Sequence, residues 1–355
     1  MANVQKMMAN TTNASFGEDS KSISSAVLRE GRVNCRIDVV FDVYKENSIK
    51  NAERVKRGSE SAMTFGKIAS GHRLKQWKSF LHCGNNKTQL IDFLVEEWSN
   101  DQSLRERLDR KELFLTHGDQ CTRVTKDSVS DVQDLQSSQE EEDTLLLLHA
   151  EHCGRSGLTA AVIVSPDTDV FILAMAFTPK LKCPVYLKLG SKTRTEYIKI
   201  KKAADALGLE KCARLLGLHS FTGCDTVSSF AGRGKVSALQ LLSHEEHMTT
   251  LQSLGQSWDL SNESIQRLEA LTCSLYSART AINSIIELRF NIFCAKKGEA
   301  ESWQLHPCAS SLLKHCKRAN YQCAIWKRSL DRNPDIPSPC GHGWRVDDGQ
   351  LVIDG

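Results

Sequence analysis

Residues 159–169 read Thr159-Ala160-Ala161-Val162-Ile163-Val164-Ser165-Pro166-Asp167-Thr168-Asp169, and this stretch decides the fold class. Its first six residues form a continuous, Ala/Val/Ile-rich run, the pattern of a strand buried on both faces in a parallel sheet. Ser165-Pro166 stops the run and leaves two aspartates at the strand end, just before a second apolar segment, Val170 to Phe177. In an open parallel sheet, ligands bind outside the carboxyl ends of the strands. Asp167 and Asp169 therefore stand where chemistry is expected, although on their own they read sooner as a plain turn and a helix cap.

The same punctuation recurs along the chain. Arg36 to Phe41 is short, β-branched and apolar, reads as a buried strand, and delivers Asp42 at its end. An acidic run, Asp131 to Asp143, leads into Leu145 to Ala150, so Glu141 and Asp143 gather where a helix dipole favours negative charge. Helical spacing from Ala203 runs into Phe221-Thr222-Gly223-Cys224-Asp225. Carboxylates brought close together need a neutralising cation. Mg²⁺ and Mn²⁺ are the usual ones, and two such ions about 3.5–4 Å apart activate water and stabilise a leaving phosphate oxygen. Phosphodiester hydrolysis is the chemistry such a cluster suggests.

These segments, in this order over about Arg36 to Leu242, resemble the PIN-like nucleases of the flap endonuclease and XPG type, and more closely their Asteroid-related animal branch. Val40-Phe41-Asp42 looks like the second-strand motif, Glu141-Glu142-Asp143 like the internal pair of acids, and Asp167-Thr168-Asp169 like the next strand-end pair. Gly223-Cys224-Asp225 looks like the Gly-Cys-Asp element, and Gly232-Arg233-Gly234 stands where the helix-two-turn-helix glycines belong. The resemblance implies a three-layer α/β/α sandwich with a mostly parallel central sheet. It also implies a nuclease acting on DNA or RNA with two Mg²⁺ or Mn²⁺ ions. By resemblance Asp42, Glu141, Asp143, Asp167, Asp169 and Asp225 would ligate or surround the ions. Gly232, Arg233, Gly234 and Lys235 would meet a duplex phosphate. The family's first strand and its aspartate have no counterpart here, since Glu18 and Asp19 lie in a polar stretch without strand pattern.

Between Lys50 and Lys78 eight Lys/Arg stand against two Glu. Lys50, Arg54, Lys56 and Arg57 match the region that feeds the family's basic arch, and Phe65 and Trp77 add faces on which bases stack. A solvated surface is the ordinary alternative for such a charge run.

Composition bounds the remaining classes. The chain has 355 residues, 40% hydrophobic and 25% charged, which fits about two globular domains. A net charge of +3 carries no case for nucleic acid by itself, so that case rests on local charge. Thirteen cysteines occur without a Cys-x-x-Cys pair and read as free thiols of an intracellular protein, nuclear or cytoplasmic. The N-terminal 25 residues lack the apolar run of a signal peptide, and no stretch approaches the roughly 20 apolar residues of a membrane span. His244-Glu245-Glu246-His247 spaces its histidines three apart where the zinc-protease helix needs four. Cys308, Cys316 and Cys323 with His315 fall on one helical face and read as packed core.

The expected organisation is a flexible leader (1–25), a PIN-like domain lacking its first strand (26–243), a helical region (244–330) and a Pro/Gly-rich tail (331–355). A helix is expected from Lys87 to Trp98 with Asn86 as its cap, a hairpin turning at Gly190-Ser191-Lys192, and a small hairpin around Asp347-Asp348-Gly349. Two readings from other classes stand beside the nuclease. One is a catalytically inactive nucleic-acid-binding protein on the same fold, and the other is an interaction scaffold built on the helical region.

Overall fold

A computed structural model describes residues 14–45, 47–56, 66–74, 76–191, 194–240, 245–277, 281–295 and 305–354, the side chains of 54–56 and 191 excepted. The chain divides into two compact units, Met1–His152 with Arg332–Pro334, and Cys153–Asp331 with Asp335–Gly355. Residues 26–243, read from sequence as one domain, are therefore shared between both units. The class is α/β: in each unit a βαβ-type parallel strand pair is extended by antiparallel neighbours.

The first unit opens on helix α1 (Phe16–Glu30). Ser15 and Glu18 form a capping box: the Glu18 N–H donates to Ser15 Oγ and the Ser15 N–H donates to Glu18 Oε2 at 2.8 Å. Phe16, Ile23 and Leu28 are buried, and the Phe16 ring lies 5.1 Å from Trp77 and 6.0 Å from Phe93. The expected flexible leader is thus corrected from residue 15 onward. Average polarity hid one capping box and one apolar face, which suffice when Trp77, Phe80 and Phe93 complete the packing. Residues 1–13 lie outside the described ones.

Strand β1 (Arg36–Val39) is followed by helices α2 (Ile49–Lys56), α3 (Trp77–Phe80), α4 (Gly84–Asn100) and α5 (Gln102–Leu108). They return the chain to β2 (Glu112–His117), which runs parallel to β1 with Ile37 opposite Leu113 and Val39 opposite Leu115. Strands β3 (Gln120–Val124) and β4 (Val129–Asp131) then add antiparallel, giving the order β1-β2-β3-β4. The expected helix at Lys87 to Trp98 exists but begins earlier, and Asn86 is not its cap. Asn86 lies fully buried inside the first turn and donates to the Phe80 carbonyl at 3.1 Å, while Cys83 occupies the cap position. Helix α6 (Glu142–Arg155) follows the acidic run, as its charges implied.

In the second unit β5 (Ala161–Val164) leads through Asp167, the cap of α7 (Thr168–Phe177), to β6 (Val185–Ser191), which lies parallel to β5. β7 (Arg194–Lys199) returns antiparallel, with Gly190 opposite Thr195 and Ser191 opposite Arg194. The expected hairpin is present; Gly190 and Ser191 belong to its strand pairing, and Lys192 lies outside the described residues. Gly190 is a strand residue at φ +95°, where an added Cβ would lie 2.0 Å from the Arg194 carbonyl oxygen. Ile163 is buried, whereas Val162 and Val164 are 43% and 44% exposed, so β5 is not buried on both faces.

Helices α8 (Ile200–Leu207), α9 (Leu209–Thr222), α10 (Lys235–Leu239), α11 (Glu245–Ser253), α12 (Asn262–Tyr276), α13 (Ile285–Ala295) and α14 (Ala309–Lys327) complete the unit. α9 packs against α7, α11 and α14. Cys316 and Cys323 of α14 are buried as expected, while Cys308 is its exposed cap residue and leaves that face. β8 (Trp344–Asp347) and β9 (Gln350–Ile353) form the expected C-terminal hairpin, turning through Asp348 and Gly349 at φ +46° and +79°.

The mostly parallel central sheet is not what these strands build. β1 and β5 belong to two separate mixed sheets of four and three strands. In the first of them the tight turn at Gly118, φ +56°, joins β2 to β3 as an antiparallel hairpin, where a parallel neighbour would need a longer crossover.

Candidate functional site

In the first unit three of the six expected acids gather around one cation. The Phe41 N–H donates to Thr116 Oγ1 of β2 at 2.9 Å, which ties down the chain just past β1 and presents Asp42. Asp42 Oδ1 accepts the Glu142 N–H at 3.0 Å and so caps α6 from a hundred residues away. The Val43 N–H donates to the Glu140 carbonyl at 2.9 Å and fastens the same two segments. Glu141 and Asp143 beside this cap are buried, at 5% and 6% exposed.

The cation is Lys50, on the first turn of α2. Its Nζ lies 3.5 Å from Asp42 Oδ1 and 3.6 Å from Asp143 Oδ2. Burial disfavours the ammonium, but Glu141, Asp42, Asp143 and Glu142 outweigh it and hold Lys50 protonated well above the ordinary lysine range. Both distances exceed the 2.7–2.9 Å of a short charge-assisted hydrogen bond, so the ammonium is shared among carboxylates rather than locked to one. The sequence assigned Lys50 to a nucleic-acid surface, yet in the fold it faces the acids. Lys45 likewise pairs with Glu140 at 3.0 Å. The side chains of Arg54 and Lys56, and all of Arg57 and Phe65, lie outside the described residues.

In the second unit Asp167 is exposed, and its Oδ1 accepts the Asp169 N–H at 2.9 Å, closing the cap of α7. Asp169 in turn accepts from His219 Nε2 at 2.6 Å. His219 lies on α9, is 3% exposed and stacks on Trp326 of α14 with ring centroids 5.4 Å apart. Asp225 is exposed in the loop after Gly223. Gly232 turns the chain at φ +68°, and Gly234 caps the short helix α10. Arg233 donates to the Tyr276 carbonyl at 3.0 Å and lies over that ring. Lys235 donates to the Gly223 carbonyl; burial lowers its pKa against the opposing pull of Cys224 and Asp169.

Two groups escaped the sequence reading. His219 is one; its signal was a lone histidine in a buried run directly before Gly223-Cys224-Asp225. The other is a network on β1 and α6. Arg36 Nε donates to Asp38 Oδ2 at 2.9 Å, His149 Nδ1 donates to Asp38 Oδ1 at 2.7 Å, and Arg36 Nη1 meets His152 Nδ1 at 2.7 Å. Burial opposes ionisation of Asp38, but His149 and then Arg36 bring its pKa below the usual carboxylate value. An aspartate inside an apolar strand was the available clue.

The donor chemistry of Asp42, Glu141 and Asp143, all hard oxygens, suits Mg²⁺ or Mn²⁺. The arrangement does not fit such an ion: among the described residues no group of three or more His, Cys, Asp or Glu side chains is placed to hold a metal. The Lys50 ammonium stands among these acids. His247 of the zinc-like motif bonds Ser274 Oγ at 3.1 Å, and His244 lies outside the described residues. No helix among the described residues is long and apolar enough to cross a membrane. No family model matches the chain, and no curated protein or solved structure matches it.

Proposed function

We propose that the chain is a PIN-like, divalent-metal-dependent nuclease acting on DNA or RNA phosphodiesters, with Lys50 holding its first-unit acids in the arrangement described. The three-layer α/β/α order and an intracellular site of action are parts of the same reading. One observation supports it most: Asp42, Glu141 and Asp143, from segments a hundred residues apart, come together around the Lys50 ammonium. A buried group strongly perturbed by specific charge partners is a candidate functional site.

The test is cleavage of end-labelled single-stranded DNA, flapped duplex and RNA with Mn²⁺ or Mg²⁺. Wild type is compared with Asp42→Asn/Asp143→Asn and with Asp167→Asn/Asp169→Asn. Metal-dependent cutting that either double substitution abolishes is the expected result. Absence of cutting by wild type on all three substrates over a full Mn²⁺ titration overturns the reading.

A second reading, an interaction scaffold without catalysis, has its own support. Ile286, Phe290 and Phe293 stand four and three residues apart on α13 and are 68%, 65% and 42% exposed. Such a stripe is a common contact face. If Ile286→Lys/Phe290→Lys leaves every co-purifying protein in place, this reading is lost.

A further inference from the structure

The β5-β6-β7 sheet of the second unit has two unlike faces. Ile163, Val185 and Leu187 are buried on one, and α8 packs against β6 and β7. Side chains alternate along a strand, so register places Val162 and Val164 of β5, Tyr186 and Lys188 of β6, and Tyr197 and Lys199 of β7 together on the other. Val162, Val164 and Tyr197 are 43%, 44% and 57% exposed, Lys199 is exposed, and Tyr186 and Lys188 are half-buried.

The pairing sets the chemistry of this open face. Tyr186 lies opposite Lys199 and Lys188 opposite Tyr197, so rings and ammoniums alternate across the two strands. Lys188 Nζ stands 5.8 Å from the Tyr197 ring centroid. The two tyrosines are diagonal neighbours, about 7–8 Å apart, which leaves each ring room for a base of its own. Among the described residues of this face none is acidic. From Arg194 to Lys202 four Lys/Arg stand against Glu196 alone, and the alternation puts Glu196 on the opposite face. Lysine is depleted from protein–protein interfaces. Flat rings interleaved with cations suit a single nucleic-acid strand, whose bases stack while its phosphates meet the ammoniums.

We propose that this sheet face binds single-stranded DNA or RNA, with bases stacked on Tyr186 and Tyr197 and phosphates held by Lys188 and Lys199. The surface uses none of the six acids of the nuclease reading. A protein that never cuts still binds a strand here, and a protein that cuts but ignores the substitutions below keeps the nuclease and loses this surface.

The experiment uses the full chain in EDTA, so that binding is read without metal-dependent cutting. Fluorescence anisotropy follows a labelled oligothymidylate of about twelve nucleotides, the same oligomer with abasic sugars, and a duplex of equal length. Wild type should bind the oligothymidylate at least about tenfold tighter than the abasic strand or the duplex. Tyr197→Ala should weaken that binding about tenfold, while Tyr197→Phe keeps it. Lys188→Gln and Lys199→Gln should each lower the slope of log affinity against log salt by about 0.7. Tyr197 is more than half exposed, so Tyr197→Ala tests the surface even if Tyr186→Ala does not fold. Equal affinity for the abasic strand overturns the inference, because only charge is then being read. Unchanged binding in Tyr197→Ala overturns it too, as does a wild type that ignores every strand. Self-association that Tyr197→Ala dissolves, without strand binding, would give the face to a second copy of the chain and likewise overturn it.

Discussion

His219 Nε2 donates to Asp169 Oδ1 at 2.6 Å, while the His219 ring stacks on Trp326 at an interplanar angle of 25°. The pair joins the cap turn of α7 to α9 and α14 through one buried side chain. His219→Ala removes that ring and leaves a partly buried carboxylate without its donor. A loss of about 2–5 kcal/mol is expected for a core truncation of this kind. Urea denaturation at unchanged m-value measures it, and a difference within about 0.5 kcal/mol of wild type would show that the pair is not holding the helices together.

His315 on α14 makes stability depend on pH in the mildly acidic range. Its Nε2 donates to the Phe221 carbonyl at 2.8 Å, and burial against only partial help from that carbonyl lowers its pKa from 6.5 to about 4. The unfolded chain therefore binds a proton between pH 6.5 and about 4 that the folded chain does not. Stability from this group is complete above pH 6.5, falls as pH drops toward 4, and the loss totals on the order of 3 kcal/mol. In His315→Phe the slope of unfolding free energy over this window should flatten. An unchanged slope would assign the pH dependence elsewhere.

Cys308 differs from the other exposed thiols, Cys35, Cys294 and Cys340. The hydroxyls of Ser310 and then Ser311 lie 3.2 Å from its sulfur and lower its pKa to about 6. At pH 7 it should be alkylated by iodoacetamide ahead of those three, because the thiolate is the nucleophile. Ser310→Ala/Ser311→Ala should slow the reaction at pH 7 several-fold. Peptide mass spectrometry over a time course reads both effects, and equal rates at all four thiols would refute the assignment.

Gly223 turns the chain from α9 into the Asp225 loop at φ +111°, where an added Cβ would meet Ser229 Cα at 2.8 Å. Gly223→Ala must both strain the backbone and move the loop carrying Cys224 and Asp225. A cost of about 1–3 kcal/mol is expected, measured as a lowered denaturation midpoint. Gly232→Ala provides the contrast: its φ is +68° but nothing lies within 4 Å of the added carbon, so the smaller loss should be found there.

Elements with local causes were legible in the sequence. The β8–β9 hairpin follows from its apolar strands and the turn at Gly349, and α6 follows from acids placed before an apolar run. The reading went astray where a distant partner decides. Asn86 is an ordinary cap residue in sequence, but the Phe80 carbonyl claims it. The polar N-terminal stretch becomes α1 because aromatic rings from α3 and α4 receive Phe16.

The α/β alternation, the acids at segment ends and the positive charge at Lys50 have local causes, because propensity, turn chemistry and ionisation are properties of a few adjacent residues. That Asp42 caps α6, that His219 finds Asp169 and that Lys50 faces carboxylates follows from long-range packing. A lysine carries the same charge on a surface and in an acid pocket. What it meets depends on which distant segments the packed core brings within about 4 Å, and a linear pattern does not encode that distance.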